Sequence, residues 1–294
     1  MSQSPIRYRS PDEDSGRWLD FDFRDGDIVI STRSKSGTTW MQMICALLVF
    51  QQPELPAPLA ELSPWIDWLA VPKAEVYARL SAQQHRRFVK THTPLDGIPL
   101  DARATYIVVA RDPLDLAVSL YFQGENLDRE RMRELTGAPV PAPRPPLREW
   151  LLAWIDHEAD PRAEMDSLPG VMWHLADAWA RRADAHVVLV HYHDLSADLE
   201  GEMRRLARDL GIEVRATAWP GLVEAAGFEH MRARADQLAP DPVGVLADRA
   251  RFFRRGSSGA GREVLTDDEY AHYRARVEQL APDDLVAWLL RAAT

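Results

Sequence analysis

Four short segments rich in β-branched and aromatic residues are each followed by side chains that could bind or react with an anionic group. Lys35-Ser36-Gly37-Thr38-Thr39 follows the first segment, Lys90-Thr91-His92 the second and Arg111-Asp112-Pro113 the third, and Tyr192 comes just after the fourth. Lysine, hydroxyl groups and backbone N–H groups at a turn that opens a helix suit a phosphate. A histidine that titrates near neutral pH suits proton transfer. Together they predict chemistry on a phosphorylated molecule.

The first of these loops resembles a P-loop without matching the Walker pattern. Lys35 precedes Gly37 here, and Thr38 stands where the Walker pattern has lysine. The alternative interpretation is an ordinary strand–turn–helix with a Ser or Thr N-cap. The lysine before the glycine and Trp40 at the predicted helix start favour phosphate binding.

The alternation of strands and helices predicts a single α/β domain. We expect a P-loop-like, mostly parallel β-sheet flanked by helices on both faces. In such sheets ligands bind beyond the carboxyl ends of the strands, where the four loops would meet. The predicted strands are Asp27–Thr32, Arg87–Thr91, Thr105–Ala110 and His186–Val190. The predicted helices are Thr38–Gln52, Ala74–Gln84, Leu114–Leu127, Leu147–His157, Val171–Ala183 and Ala197–Leu210, with further helices and an Arg/Gly/Ser loop at Arg254–Arg262.

Length and composition restrict the class of protein. The chain has 294 residues and a formal net charge of −10, which argues against nucleic acid or anionic lipid as a partner. It lacks an apolar stretch long enough to span a bilayer, and its single cysteine, Cys45, fits a cytoplasmic location. The polar residues 1–20 predict a flexible arm before a domain of residues 21–294.

Lysine is scarce in this chain. It has 32 arginines and three lysines, and Lys35 and Lys90 both lie in the loops described above. A retained lysine indicates a need for a compact point charge, although codon bias explains the pattern equally well. The same bias suggests a bacterial source.

Four segments in order resemble the cytosolic-type sulfotransferases that use 3′-phosphoadenosine 5′-phosphosulfate (PAPS). They are Lys35–Trp40, Phe88–His92, Arg111–Ser119 and Phe252–Gly259. The resemblance covers most of the chain and implies a bacterial member of this family. It implies sulfuryl transfer from PAPS to a hydroxyl group, with release of the desulfated product PAP and without a metal.

The resemblance also implies roles for individual residues. His92 would be the general base, and Lys35 and Lys90 would neutralise charge on the transferred group. Ser119 follows Arg111 by eight residues, about two helical turns, so both side chains can reach one 3′-phosphate. The implied cofactor-binding residues are Lys35, Ser36, Gly37, Thr38 and Thr39 for the 5′-phosphosulfate, Trp40 and Tyr192 for adenine, Arg111, Ser119, Arg254, Arg255 and Gly256 for the 3′-phosphate, and Phe228 and Phe253 without an assigned part of the cofactor.

The sequence departs from the family pattern at four places. Arg33-Ser34 replaces the usual aromatic-proline pair before Lys35, and Ala260-Gly261-Arg262 replaces the usual Asp-Trp-Lys. Gly227 stands where a hydroxyl residue often contacts adenine. The dimerisation motif of the animal enzymes is not recognisable in residues 262–271, so the oligomeric state stays open.

Aromatic residues are the candidates for the acceptor pocket. Trp65, Trp68, Tyr121 and Phe122 suit a phenol, sterol, lipid or aromatic metabolite, with the Pro-rich stretch Ala138–Pro146 as a lid. Ordinary core packing is the alternative for each of them. His191 and His193 alternate on a strand, but no third ligand at a supporting spacing accompanies them, so we predict no metal site.

Two other function classes compete with sulfuryl transfer. A P-loop kinase or NTPase would need a lysine after the glycine and a carboxylate after an apolar strand, where Arg111 stands instead. A non-catalytic module that binds PAP would differ from the enzyme only at His92 and Lys35. An open basic cleft would instead indicate a polysaccharide acceptor.

Overall fold

Four parallel strands form the centre of the protein. The computed structural model describes residues 4–136, 143–241 and 243–291. The strands are β1 (Ile28–Ser31), β2 (Phe88–Thr91), β3 (Thr105–Ala110) and β4 (Val187–His191), in the order β2-β1-β3-β4. All pairs are parallel, and each predicted strand is confirmed to within one residue at either end.

Helices surround this sheet. Within the described ranges they are α1 (Thr38–Phe50), α2 (Leu59–Leu62), α3 (Lys73–Ala82), α4 (Pro113–Glu125), α5 (Arg129–Thr136), α6 (Leu147–Asp156), α7 (Leu168–Ala180), α8 (Tyr192–Ala197), α9 (Leu199–Asp209), α10 (Trp219–Ala226), α11 (Phe228–Ala233), α12 (Ala235–Leu238), α13 (Asp267–Leu280) and α14 (Asp283–Leu289). Short 3₁₀ turns occupy Ser15–Asp20, Leu95–Gly97 and Ala250–Phe252.

The sheet is buried on both faces, which explains why its strands are continuous apolar runs. Val29, Val89 and Val108 pack against α4, α6, α7, α13 and α14, whereas Ile30 and Ile107 pack against α1, α9 and α10. The predicted helix layers on both faces are confirmed. No helix within the described residues combines the length and apolar character needed to cross a membrane.

One predicted helix begins two residues later in the structure. The pattern over Ala197–Leu210 predicts a helix that is observed as α9 (Leu199–Asp209), because Asp198 lies before it with φ −143° and ψ 78°. The Asp198 carboxylate accepts the N–H of Gly201 at 2.9 Å and so caps α9. Aspartate competes with the helix for backbone N–H groups, and this local bond overrides the apolar periodicity.

Residues 4–20 pack against the domain. Tyr8 and Trp18 are buried, and the Tyr8 hydroxyl donates to Asp96 at 2.8 Å. Glu13 forms an antiparallel backbone bridge with Trp68. This differs from the flexible arm that the polar composition predicts, because a few large side chains carry the contacts. The proposed lid Ala138–Pro146 lies largely outside the described residues and stays a prediction.

Candidate active site

A cavity of about 220 Å³ opens at the carboxyl ends of the four strands. The structure brings nearly all of the predicted cofactor residues together there. Ser36 is buried behind them and does not line the cavity. The predicted residues that line it are Lys35, Gly37, Thr38, Thr39, Trp40, Trp65, Lys90, His92, Arg111, Ser119, Tyr192, Phe228, Phe253, Arg254, Arg255 and Gly256. Ser34, Gln123, Met231, Pro240 and Phe252 line it as well and were not predicted.

The loop between β1 and α1 is shaped to hold an anion. Lys35 and Gly37 both adopt positive φ, 64° and 101°. A Cβ at Gly37 would lie 2.9 Å from the Tyr192 ring, so a side chain has no room there. Gly37 is the N-cap of α1 and supplies no side-chain acceptor, which argues against the ordinary N-cap interpretation. The first-turn N–H groups of α1 are therefore available to a ligand.

Arg111 crosses the floor of the cavity. It donates to the Lys35 carbonyl at 3.0 Å, to the Ser119 hydroxyl at 3.4 Å and to the Ser257 carbonyl at 3.3 Å. Its guanidinium lies 4.3 Å from the centre of the Tyr192 ring. The predicted proximity of Arg111 and Ser119 is thus confirmed.

The cavity carries uncompensated positive charge. Nε of Arg111 and Nε of Arg254 are buried without a partner. Within the described part of the chain, no carboxylate lies within ion-pair distance of Lys35, Lys90, Arg111 or Arg254. Unpaired buried cations are costly, and a protein with net charge −10 has abundant carboxylates to pair with them. Such a set of residues fits a ligand with several phosphate or sulfate groups.

Lys35 shows the electrostatic cost of this arrangement. Burial, followed by repulsion from Arg111, Lys90 and Arg254, lowers the pKa of Lys35 to about 7. Its ammonium lies 3.8 Å from the centre of the Phe252 ring, which offers partial compensation. An anion in the cavity would favour the charged form of Lys35 again.

The Arg/Gly/Ser loop closes the cavity from the opposite side. Asp115 in α4 holds it, because its carboxylate accepts the N–H groups of Gly259 at 2.7 Å and of Gly261 at 2.9 Å. Gly256 has φ 68°, and a Cβ there would lie 2.4 Å from Phe228. Arg255 also forms an ion pair with Glu263 at 2.6 Å.

Aromatic rings form the other end of the cavity. Trp40 and Tyr192 meet edge to face with centroids 5.3 Å apart, and the Trp40 indole N–H donates to the Ala226 carbonyl at 2.9 Å. Phe228 and Met231 complete this end. The arrangement suits a flat heteroaromatic base such as adenine.

His92 is held in one tautomer at the cavity wall. Its Nδ1 lies 2.5 Å from the Thr32 carbonyl, which can only accept, so Nδ1 carries the proton and Nε2 a lone pair. Burial, then the charges of Lys90 and Arg33, hold the pKa of His92 well below its usual range. The ring is neutral at physiological pH, and Nε2 can accept a proton.

Lys90 and Trp65 lie beside this histidine. The Trp65 ring meets His92 edge on with centroids 4.6 Å apart, and the Lys90 ammonium lies 4.0 Å from the Trp65 ring centre. Burial lowers the pKa of Lys90 to about 8, against the opposing charges of Glu13 and Asp67. Lysine and histidine therefore reach the cavity from the same strand end.

The four predicted acceptor residues separate into two groups. Trp65 lines the main cavity, and Trp68 stacks on it at 5.3 Å and lines an adjoining apolar chamber of about 70 Å³. Neither Tyr121 nor Phe122 lines either space, and their acceptor role stays a prediction. Tyr121 donates to the Pro145 carbonyl at 3.0 Å, and Phe122 packs under Arg254.

Some of the cavity-lining residues that were not predicted could have been found from the sequence, and others could not. Gln123 lies four residues after Ser119 on the same helix face and was therefore predictable. Ser34 adjoins the first loop, and Phe252 adjoins Phe253. Met231 and Pro240 carry no sequence signal.

The alternating histidines of β4 have other partners. His191 Nε2 lies 3.0 Å from the Leu289 carbonyl, and its Nδ1 accepts the N–H of His193 at 3.2 Å. Both ring nitrogens of His191 are thus engaged with the backbone. No cluster of potential metal ligands occurs among the residues that the structure describes.

Comparisons with known proteins agree with this site. Residues 25–283 match the model of the sulfotransferase domain. The chain is 43% identical to a glycolipid sulfotransferase of Mycobacterium bovis (strain BCG / Pasteur 1173P2), over 96% of this chain and 93% of the relative. It has the same identity and coverage with glycolipid sulfotransferase Rv1373 of Mycobacterium tuberculosis (strain ATCC 25618 / H37Rv).

Solved structures share the fold. A retinol dehydratase in complex with androsterone and the inactive cofactor PAP superposes with a TM-score of 0.71 at 20% identity, covering 92% of this chain and 84% of that one. Mouse sulfotransferase SULT7A1 complexed with PAP gives a TM-score of 0.67 at 19% identity, covering 95% and 93%. The match to the domain model and the 43% identity to the mycobacterial relatives over 96% of this chain show that the chain belongs to the sulfotransferase family and is a PAPS-dependent sulfotransferase.

Proposed function

We propose that this enzyme transfers the sulfuryl group of PAPS to a hydroxyl of an acceptor with an apolar tail, with His92 as the general base. The observation that carries the proposal is the neutral His92 ring, which has its lone pair on Nε2 and lines a cavity with the unpaired cations of Lys35 and Lys90. A base and two cations in one cavity are what in-line sulfuryl transfer requires.

His92 would take the proton from the acceptor hydroxyl at Nε2. As the acceptor oxygen bonds to sulfur, the bond between sulfur and the bridging oxygen breaks, and PAP leaves with that oxygen. Lys35 and Lys90 would stabilise the negative charge that develops on this oxygen and on the sulfuryl oxygens. PAPS supplies the sulfuryl group, and the chain supplies the base and the charge.

Three groups of residues would hold PAPS. The loop of Lys35, Ser36, Gly37, Thr38 and Thr39 would bind the 5′-phosphosulfate, with the N–H groups of α1. Arg111, Ser119, Arg254, Arg255 and Gly256 would bind the 3′-phosphate, beside Phe253. Trp40, Tyr192 and Phe228 would enclose the adenine. The buried Nε atoms of Arg111 and Arg254, which lack protein partners, support this assignment.

The apolar chamber beside His92 supports a lipid-like acceptor. Trp65, Lys90 and Pro240 line both the main cavity and the chamber, so the two spaces share a wall next to the base. Leu59, Val71, Val76 and Leu238 make the chamber apolar. The mycobacterial relatives named above are glycolipid sulfotransferases, which agrees with a sugar hydroxyl at His92 and an alkyl chain in the chamber.

The experiment combines binding with turnover. Calorimetry of PAP should show 1:1 binding that Arg111→Ala weakens about 10- to 100-fold, because an anion loses a charged donor. ATP with Mg²⁺ is the control ligand, and a preference for it would contradict the proposal. With PAPS and dodecyl β-D-glucoside, His92→Ala should lower kcat about 10²- to 10⁴-fold while PAP affinity stays unchanged.

The acceptor class is tested by chain length. KM should fall from glucose through octyl to dodecyl glucoside in the wild type. Ala60→Phe, which fills the chamber from the half-buried helix α2, should raise KM for dodecyl glucoside, whereas Ala60→Ser should leave it unchanged. A KM that does not depend on chain length in the wild type would rule out the apolar chamber as the binding site for the alkyl tail.

A further inference from the structure

Arg33 occupies an unusual position between the first loop and the base. It follows β1 by two residues and precedes Lys35, yet it does not line the cavity and is only 2% exposed. One terminal nitrogen donates to the backbone carbonyl of His92, and the other pairs with Asp166 at 2.6 Å. Burying a guanidinium is expensive unless its bonds are well formed, so this placement requires an explanation.

Two consecutive residues hold His92 from two sides. The Thr32 carbonyl accepts from the ring Nδ1, and the Arg33 side chain bonds the His92 main-chain carbonyl. Because Thr32 and Arg33 lead directly into the loop of Lys35, a change in one bond would move the base relative to that loop. The ring and the main chain of His92 are thus fixed by the segment that carries the first loop.

Asp166 fixes Arg33 in turn. Asp166 lies in the turn before α7, and its own carbonyl accepts the indole N–H of Trp154 at 3.0 Å. Arg33 also contacts the Met165 sulfur at 3.6 Å. The base, the first loop and the turn before α7 are therefore joined at one guanidinium.

We propose that Arg33, tethered by Asp166, is the positioning residue that orients His92 and keeps its ring in the neutral, Nδ1-protonated form. This rests on the proposed role of His92 as the base. The charged or titratable groups that act on His92 are Lys90, Arg33 and His174, while Glu13 and Asp67 act on Lys90. Arg33 adds a fixed positive charge that disfavours protonation of the ring, in addition to its hydrogen bond.

The test observes the imidazole directly. Protein labelled with ¹⁵N in its histidine side chains is titrated by NMR between pH 5 and 9, and His92→Gln identifies the His92 signals. Arg33→Met should move the titration midpoint of His92 upward and populate the second tautomer. Arg103→Met, at an exposed arginine paired with Asp101, is the matched control and should leave these signals unchanged.

Turnover of dodecyl β-D-glucoside with PAPS gives the second readout. Arg33→Met should lower kcat about 10- to 100-fold and shift the acid limb of kcat/KM to higher pH, with PAP affinity within about threefold of wild type. Arg33→Lys retains the charge without the forked geometry, so it should keep the acid limb and lose kcat. If Arg33→Met does not fold, Asp166→Asn should show the same changes in kcat and in the acid limb of kcat/KM, with a smaller size.

Two results would overturn the proposal. His92 signals of Arg33→Met that coincide with wild type at every pH would show that Arg33 does not position the ring. A loss of PAP affinity as large as the loss of kcat would place Arg33 in cofactor binding instead. Failure of His92 as the base would appear separately, as full activity of His92→Ala, and would leave the NMR result intact.

Discussion

At the scale of single residues, Lys35 makes cofactor binding depend on protons. Its pKa of about 7 means that about half of the molecules carry a neutral Lys35 at pH 7 and about three quarters at pH 7.5. A bound phosphate raises that pKa, so at pH 7.5 PAP binding should take up about three quarters of a proton. Calorimetry of PAP binding in PIPES and in Tris measures this uptake.

Lys35→Met should abolish most of that uptake, and Lys73→Met, at a lysine outside the cavity, should preserve it. Equal observed binding enthalpies in the two buffers, before any correction for buffer ionisation, would contradict a shifted Lys35.

Most of the candidate site could be predicted because its residues lie in short loops after strands. The acceptor role of Tyr121 and Phe122 was inferred from residue type alone, which does not say which helix face they occupy; Ser119 and Gln123 are the residues of α4 that line the cavity. The contacts of Arg33 were unpredictable for another reason. Its partner Asp166 lies 133 residues away, and only the tertiary fold brings them together.

At the scale of elements, α4 positions the Arg/Gly/Ser loop through Asp115. The carboxylate accepts two N–H groups of that loop, and an amide in its place could accept only one. Asp115→Asn should therefore weaken PAP binding about tenfold by loosening the loop that carries Arg254, Arg255 and Gly256.

Calorimetry of PAP measures this effect, with the exposed Asp268→Asn in α13 as the control. PAP affinity equal to that of wild type in Asp115→Asn would mean that the loop is held by its other contacts.

The strands were predictable to within one residue because buried parallel strands are uniformly apolar, whereas helix ends depend on single caps. Asp198 shows this most clearly: its side-chain bond to the Gly201 N–H makes it the N-cap of α9, so this helix begins at Leu199 rather than at Ala197. The polar composition of residues 4–20 likewise did not predict that this segment packs against the domain, because the buried side chains of Tyr8 and Trp18 make the contacts.

At the scale of the whole molecule, buried neutral histidines set the acid limit of stability. Burial lowers the pKa of His174 to about 3 and that of His92 well below its usual value of 6.5. Below pH 6.5 the unfolded chain binds these protons first, so stability is full above that pH and falls as the pH decreases towards the folded-state values. Each histidine should contribute a loss of up to about 1.4 kcal/mol per pH unit.

Urea unfolding between pH 7 and 4 measures this slope. His174→Gln should make it shallower, and the exposed His157→Gln should not. A slope unchanged in His174→Gln would show that other groups govern acid unfolding.

The backbone contacts of residues 12–14 extend to the wall of the apolar chamber. Glu13 bridges Trp68, Asp14 donates its N–H to the Asp67 carbonyl at 2.9 Å, and Leu69 donates to Asp12 at 2.8 Å. Trp68 is a wall of the apolar chamber, so residues 12–14 support that wall from behind. On the proposed function, substitutions at residues 12–14 would therefore change acceptor preference while the catalytic loops and their hold on the cofactor stay the same.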